Sequence, residues 1–201
     1  SEMCIRDRFI EVLAGLIKRL AVDHLHIVGD IFDRGPCADR IMDLLMTYHS
    51  IDIEWGNHDI LWMGAAAGNR ACIATVIRNN LKYDNMKILE NSYGISLRNL
   101  TLFAEKIYPG IDPMKAALKE ISVLLFKLEG QVILRNPDYK MEDKLLLHKV
   151  DVARQIVEVD GKEYEIKEEE FPTVNFAAEN VEDVYQLTEE ECVMSLFTAS
   201  A

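Results

Sequence analysis

The strongest constraint on this chain is a pair of apolar runs that each stop at a glycine and give way to polar side chains. In the first, Leu25, Ile27 and Val28 lead to Gly29-Asp30, with Asp33-Arg34-Gly35 just beyond. In the second, Ile51 and Ile53 lead through Trp55 to Gly56-Asn57-His58-Asp59. Between them, Ala38 to His49 carries Ile41, Leu44, Leu45 and Tyr48 at a helical spacing. Strand, helix, strand is the smallest parallel crossover, and such units are almost always right-handed. Both polar clusters then fall at the carboxyl ends of neighbouring strands, where open α/β sheets place their ligands.

The side chains at that rim suit one kind of chemistry. Asp30 is a hard oxygen donor, and the Asn57 amide oxygen is another. Such donors suit Mg²⁺ or Mn²⁺, and an added imidazole shifts the preference toward Mn, Fe or Zn. Arg34 carries a planar, permanently charged fork that matches a phosphate. His58 can exchange a proton near neutral pH. Each residue also has an ordinary structural reading. Asp30 and Asp33 after a glycine suit turns and caps, Arg34 a surface ion pair, and Asn57 a left-handed turn. Their joint placement at two matching strand ends favours the chemical reading, hydrolysis of a phosphate ester with metal assistance.

Gly-Asp-x-x-Asp-Arg-Gly followed by Gly-Asn-His-Asp resembles two signature motifs of the metallophosphoesterase (calcineurin-like) superfamily. The surrounding text, Leu20 to Pro36 and Trp55 to Gly68, resembles the class III, Firmicutes-type fructose-1,6-bisphosphatases. That resemblance continues through Cys72-Ile-Ala, Tyr93-Gly-Ile, Phe126-Lys-Leu-Glu-Gly-Gln and Asp143-Lys-Leu-Leu-Leu, so it covers most of the chain from about Phe9. It implies that Asp30 bridges two metal ions, Mn²⁺ in preference to Mg²⁺, and that Asn57 binds one of them. It also implies that Arg34 and His58 meet the substrate phosphate, that His58 protonates the leaving sugar oxygen, and that Asp33 orients its imidazole. Asp59 receives a supporting role only. The implied substrate is a small sugar bisphosphate, the compartment the cytoplasm, and the pathway gluconeogenesis. Whether the complete enzyme is a homo-oligomer stays open.

The family's Asp-x-His motif upstream and its downstream histidine motifs have no match here, so the chain reads as an internal fragment with half a metal site and little activity of its own. Of five histidines only His58 stands in a matching motif. His24 and His26 alternate with Leu25 and Ile27, and read as polar residues on the strand's other face. His49 reads as a helix-end residue, and His148 as structural. Two rival functions remain: another phosphatase of the superfamily, acting on phosphoprotein or dinucleotide polyphosphate, and a non-catalytic structural or binding fragment.

Composition narrows the partners. Net charge is −12; residues 1–100 hold 13 acidic against 11 basic side chains, and residues 101–201 hold 21 against 11. Such a balance lacks the basic footprint that nucleic acid requires. Four scattered cysteines read as free thiols in a reducing compartment. No apolar stretch is long enough to span a bilayer.

The predicted fold is α/β: a partial metallophosphoesterase sandwich with a strand-helix-strand core, then a mainly helical insertion. Residues 1–8 read as a non-native leader, 9–68 as part of the catalytic domain, 69–150 as the helical insertion or cap, and 151–201 as a small β-hairpin with an acidic tail. Within these, Phe9 to Ala21 predicts an amphipathic helix with Phe9, Val12, Leu13, Leu16, Ile17 and Leu20 on one face. Ile60 to Ala67 predicts a helix aiming its first amides at the site. Arg70 to Leu81 predicts a helix buried through Ile73, Val76, Ile77 and Leu81, with Cys72 a small core residue. Ser96 to Leu128 predicts helices broken at Tyr108 to Pro113, the second continuing to Arg135 and buried through Met114, Ala117, Leu118, Ile121, Leu125 and Leu128. Met141 to Val150 predicts a further helix, Asp160-Gly161 a hairpin turn, and Thr188-Glu-Glu-Glu191 a capping box. The acidic tail reads as solvated surface, and Thr198 to Ala201 as a frayed end.

Overall fold

The computed structural model describes residues 2–193, with side chains from residue 5. The expectation for Thr198 to Ala201 lies outside the described residues. The chain divides into two compact units, residues 1–60 and 61–201, and the boundary falls inside one helix.

The first unit opens with helix α1 (Glu2–Ala21) and continues through strand β1 (Leu25–Ile27), helix α2 (Ala38–Met46) and strand β2 (Ile51–Ile53). The two strands pair in parallel, with Leu25 opposite Ile51, His26 opposite Asp52 and Ile27 opposite Ile53. Period-two alternation puts the four aliphatic residues on one half-buried face and His26 and Asp52 on the exposed one. The predicted crossover is therefore present. The apolar stripe of α1 is in the open, however, with Phe9 61% and Leu20 73% exposed. In α2 only Ala38 and Leu45 are buried, while Ile41 and Leu44 face outward.

The second unit is built around one long helix. After α3 (Asn57–Ala66) come α4 (Arg70–Lys82), α5 (Arg98–Ile107) and α6 (Pro113–Arg135). Asp112 caps α6 by accepting from the amides of Met114 and Lys115, each at 3.1 Å, and Pro113 occupies the first turn, where its missing N–H costs nothing. One face of α6, through Ala117, Ile121, Leu124 and Leu128, meets Ile73, Val76 and Ile77 of α4 and Leu100 and Ala104 of α5. Its opposite face joins a second core of Val123, Ile133, Leu145, Leu147, Val174, Val184 and Tyr185. A helix apolar on both sides belongs inside a domain. Met114, predicted as part of the buried stripe, is 39% exposed at the helix start. Gly130 permits the close approach of Tyr185, whose ring occupies the space a Cβ would need.

The predicted helix at Met141–Val150 is instead two short 3₁₀ turns, Glu142–Lys144 and Leu147–Lys149. Lys140 adopts a left-handed conformation with φ 51°. Leu145 and Leu147 are both buried in the second core, an i, i+2 spacing that an α-helix cannot direct to one side. Strands β3 (Ile156–Val159) and β4 (Lys162–Glu165) form the predicted hairpin, with Val159 opposite Lys162. Asp160 and Gly161 both have positive φ, 51° and 74°, as a two-residue type I′ turn requires. Helices α7 (Val181–Val184) and α8 (Glu189–Val193) follow. The Thr188 capping box is formed: its amide donates to Glu191 Oε2 at 2.5 Å, and the Glu191 amide donates to Thr188 Oγ1 at 3.2 Å. Glu191 itself is fully buried, unlike the solvated surface predicted for the acidic tail.

Candidate active site

The polar clusters meet where β1 and β2 end. The ladder extends one step past β2, with the Glu54 amide donating to Ile27 O at 2.9 Å. The chain then turns on two glycines. Gly29 has φ +89°, and a Cβ there would stand 2.5 Å from both Glu54 O and Gly56 N. A Cβ on Gly56 would collide with the Asp30 carboxylate. Only glycines let these two loops touch. Asp30 is itself left-handed, with φ 53°, a conformation that costs a non-glycine residue free energy and recurs at functional sites.

α3 begins within the second cluster. The Gly56 carbonyl accepts from the Ile60 amide at 3.1 Å, so Gly56 is the N-cap. The His58 amide donates to Asp30 Oδ1 at 3.2 Å, placing a carboxylate from the first loop on the positive end of the helix. Asp59 is 1% exposed and joins the two loops. Its Oδ1 accepts from the Phe32 amide at 3.0 Å, and its Oδ2 accepts from the Gly56 amide at 3.0 Å. The second bond is the return half of a capping box. The supporting role expected of Asp59 is thus a specific one, and Gly-x-x-Asp at a helix start was the signal for it.

Asp33, Arg34 and His58 stand in a row. Asp33 Oδ1 is 3.0 Å from His58 Nε2 and 3.5 Å from Arg34 Nε. The His58 side chain is 22% exposed and that of Arg34 63%, so the row runs from a sheltered imidazole to a guanidinium in solvent. Asp30 and Asn57 are exposed beside it. The five residues singled out in the sequence therefore lie in the loop after β1 or at the start of α3. As metal donors, Asp30 and Asn57 are hard oxygens of the right kind for Mn²⁺ or Mg²⁺. Among the described residues, no group of three or more His, Cys, Asp or Glu is arranged to hold a metal.

The remaining histidines have other partners. On the exposed sheet face Asp52 joins two of them, with Oδ1 2.7 Å from His24 Nε2 and Oδ2 2.9 Å from His26 Nδ1. The Asp52 hydrogen bond raises the His26 pKa, and the bonds from His26 and then His24 lower that of Asp52. His49 lies beyond the end of α2 and its ring is 4.7 Å from that of Tyr48. His148 Nδ1 is 3.2 Å from the Tyr185 hydroxyl, and burial lowers its pKa. Cys72 is half-buried against Gly64, and burial raises its thiol pKa, the environment of an unreactive cysteine.

Comparison with known proteins gives one consistent result. The family model described as Firmicute fructose-1,6-bisphosphatase matches residues 2–200. The chain is 46% identical over 205 residues to the fructose-1,6-bisphosphatase class 3 of Listeria monocytogenes serovar 1/2a, covering 92% of this chain and 31% of that protein. The class 3 enzyme of Listeria innocua serovar 6a is 48% identical, with 91% and 30% covered. That of Phocaeicola vulgatus is 46% identical, with 92% and 30% covered. The chain thus spans about a third of the length of the curated relatives it matches. No solved structure matches it.

Proposed function

The chain belongs to the Firmicute fructose-1,6-bisphosphatase family, and on that premise we propose that the protein it forms part of hydrolyses the 1-phosphate of fructose 1,6-bisphosphate. The row Arg34–Asp33–His58 carries this reading, because it sets a phosphate grip and a proton donor on one carboxylate. Arg34, in solvent, would form charge-assisted hydrogen bonds to the phosphoryl oxygens. His58 would give its proton to the departing C1 oxygen, producing the sugar hydroxyl, and recover one from water. Asp33 would fix the ring through Nε2, so that Nδ1 is the nitrogen turned to the substrate.

Asp30 and Asn57 would hold a divalent ion, Mn²⁺ or Mg²⁺, together with donors from the rest of the protein. Such ions, as a pair, polarise phosphoryl oxygens and activate water. The two-stranded parallel unit would be one part of a metallophosphoesterase sandwich within residues 9–68. Residues 69–150 would be a helical insertion and residues 151–201 a hairpin with an acidic tail, while residues 2–8 fall within the family match. The substrate would be a small molecule and the compartment the cytoplasm. Among the described residues no helix is long and apolar enough to cross a membrane.

The test is product analysis on the complete protein with Mn²⁺. Fructose 6-phosphate and inorganic phosphate in equal amounts are expected from fructose 1,6-bisphosphate. Preference for a phosphoserine peptide or a dinucleotide polyphosphate, with the sugar bisphosphate left intact, would replace this reading by another phosphatase activity.

A further inference from the structure

α6 carries two ionisable residues into the interior. Glu120, Lys127 and Glu191 of α8 are all fully buried, a state such residues reach only when paired. An ammonium has three donors, and Lys127 commits them to Glu191 Oε1 at 2.9 Å, Glu191 Oε2 at 2.8 Å and Thr173 O at 2.5 Å. None remains for Glu120. Its Oε2 accepts from the Tyr108 hydroxyl at 3.0 Å, while its Oε1 is buried without a partner. Two carboxylates face one ammonium, so the unprotonated cluster would leave a net negative charge in the interior, which is costly.

We propose that Glu120 holds a proton beside Lys127 and Glu191, and that loss of this proton releases the Thr188–Val193 segment from α6. The charged and titratable groups around Glu120 are Tyr108 at the end of α5, Lys127 on α6 itself and Glu191 on α8. Thr173, from the loop before α7, adds a carbonyl acceptor and a buried hydroxyl oxygen that lacks a partner. Lys119 lies over the ring face of Tyr108, 5.1 Å from its centroid, and stands 3.8 Å from Glu170, so it serves a different carboxylate. Glu191 already has Lys127 and the Thr188 amide, which assigns the proton to Glu120. A proton on Oε1 turns that orphaned acceptor into a donor.

Burial first, and the Glu191 charge second, push the Glu120 carboxyl up from 4.5 to about 7. A raised carboxyl pKa favours the docked state at low pH. Docking weakens as pH rises from the undocked value near 4.5 through the docked value near 7, and is constant above that. The opening equilibrium of α8 should therefore rise roughly tenfold per pH unit in this window, about 300-fold in total.

The experiment is amide hydrogen exchange at Glu191 and Cys192 in the full 201-residue chain from pH 4.5 to 8.5, corrected for intrinsic exchange, with carbon-13 detection of the Glu120 carboxyl. A Glu120 titration near 7, in step with loss of α8 protection, is the expected result. Glu120→Gln should abolish the pH dependence, since the amide cannot ionise. A Glu120 titration at the ordinary carboxylate pH would overturn the proposal without any variant. PH-dependent exchange surviving in Glu120→Gln would overturn it as well.

Discussion

Asp33 Oδ1 lies 3.0 Å from His58 Nε2, which holds the imidazole by that nitrogen and leaves Nδ1 outside this pair. If His58 is the proton donor, His58→Ala in the complete enzyme should lower turnover of fructose 1,6-bisphosphate by ~10²–10⁴-fold. The loss should be much smaller for p-nitrophenyl phosphate, whose leaving group departs without a proton. Asp33→Asn should give a milder version of the same pattern. Steady-state kinetics on both substrates checks this, and equal losses on both would remove the proton-donor role.

Arg34 predicts a different signature. Its side chain is 63% exposed at the outer end of the row, and a phosphate is common to both substrates. Arg34→Ala should therefore weaken binding and turnover for both alike, raising KM several-fold or more. A loss confined to the sugar bisphosphate would show that Arg34 reads the sugar and not the phosphate.

Asp59 is expected to matter through stability. Its buried carboxylate satisfies the amides of Phe32 and Gly56. Asp59→Ala leaves both donors without their acceptor and opens the junction of the loops, at roughly 2–4 kcal/mol by the usual worth of hydrogen bonds to charged groups. Urea unfolding of the chain followed by circular dichroism should show the midpoint fall. An unchanged midpoint would mean that the loops hold together without Asp59.

These cases show what could be read from the residues alone. The strand-helix-strand unit and its two loops were legible because each rests on a short local pattern, apolar alternation stopped by a glycine. The capping box at Thr188 and the Asp160-Gly161 turn were legible for the same reason. The pairing of Lys127 with Glu191 was not, since 64 residues separate them and an acidic stretch gives no sign of which glutamate turns inward. Nor was the second buried face of α6, because the segments that cover it, near Leu145, Val174 and Tyr185, arrive later in the chain. Helical spacing at Met141–Val150 lost to the demand that Leu145 and Leu147 enter one core.

The His26–Asp52 pair makes a prediction about pH. The His26 pKa is raised by its bond to Asp52, and the Asp52 pKa is lowered by His26 and then His24. The stabilisation through His26 is complete below its ordinary value near 6.5 and disappears as pH rises through the raised one. That through Asp52 is present above its ordinary value near 3.8 and is lost as pH falls through the lowered one. The clamp between β1 and β2 should be strongest between those limits. Proton NMR titration of the His26 ring should give a midpoint above 6.5 that returns toward 6.5 in Asp52→Asn. A midpoint unmoved by that substitution would show that the pair does not form in solution.

The donor count at the strand ends sets the expectation for the chain alone. Mn²⁺ and Mg²⁺ prefer about six oxygen ligands in octahedral array. Asp30 offers a carboxylate that already receives the His58 amide at 3.2 Å, and Asn57 offers one amide oxygen. Two protein donors leave most of the coordination sphere to water, so Mn²⁺ should bind weakly, with a dissociation constant at or above the millimolar range. Substrate activation should be correspondingly poor, and turnover of fructose 1,6-bisphosphate should fall below ~1 s⁻¹, the low end of ordinary enzymes. Manganese titration followed by electron paramagnetic resonance tests the first statement and phosphate release the second. Tight binding of two ions would mean that donors other than Asp30 and Asn57 complete the site within these 201 residues. Turnover at or above ~1 s⁻¹ would show that the reaction does not need a fuller set.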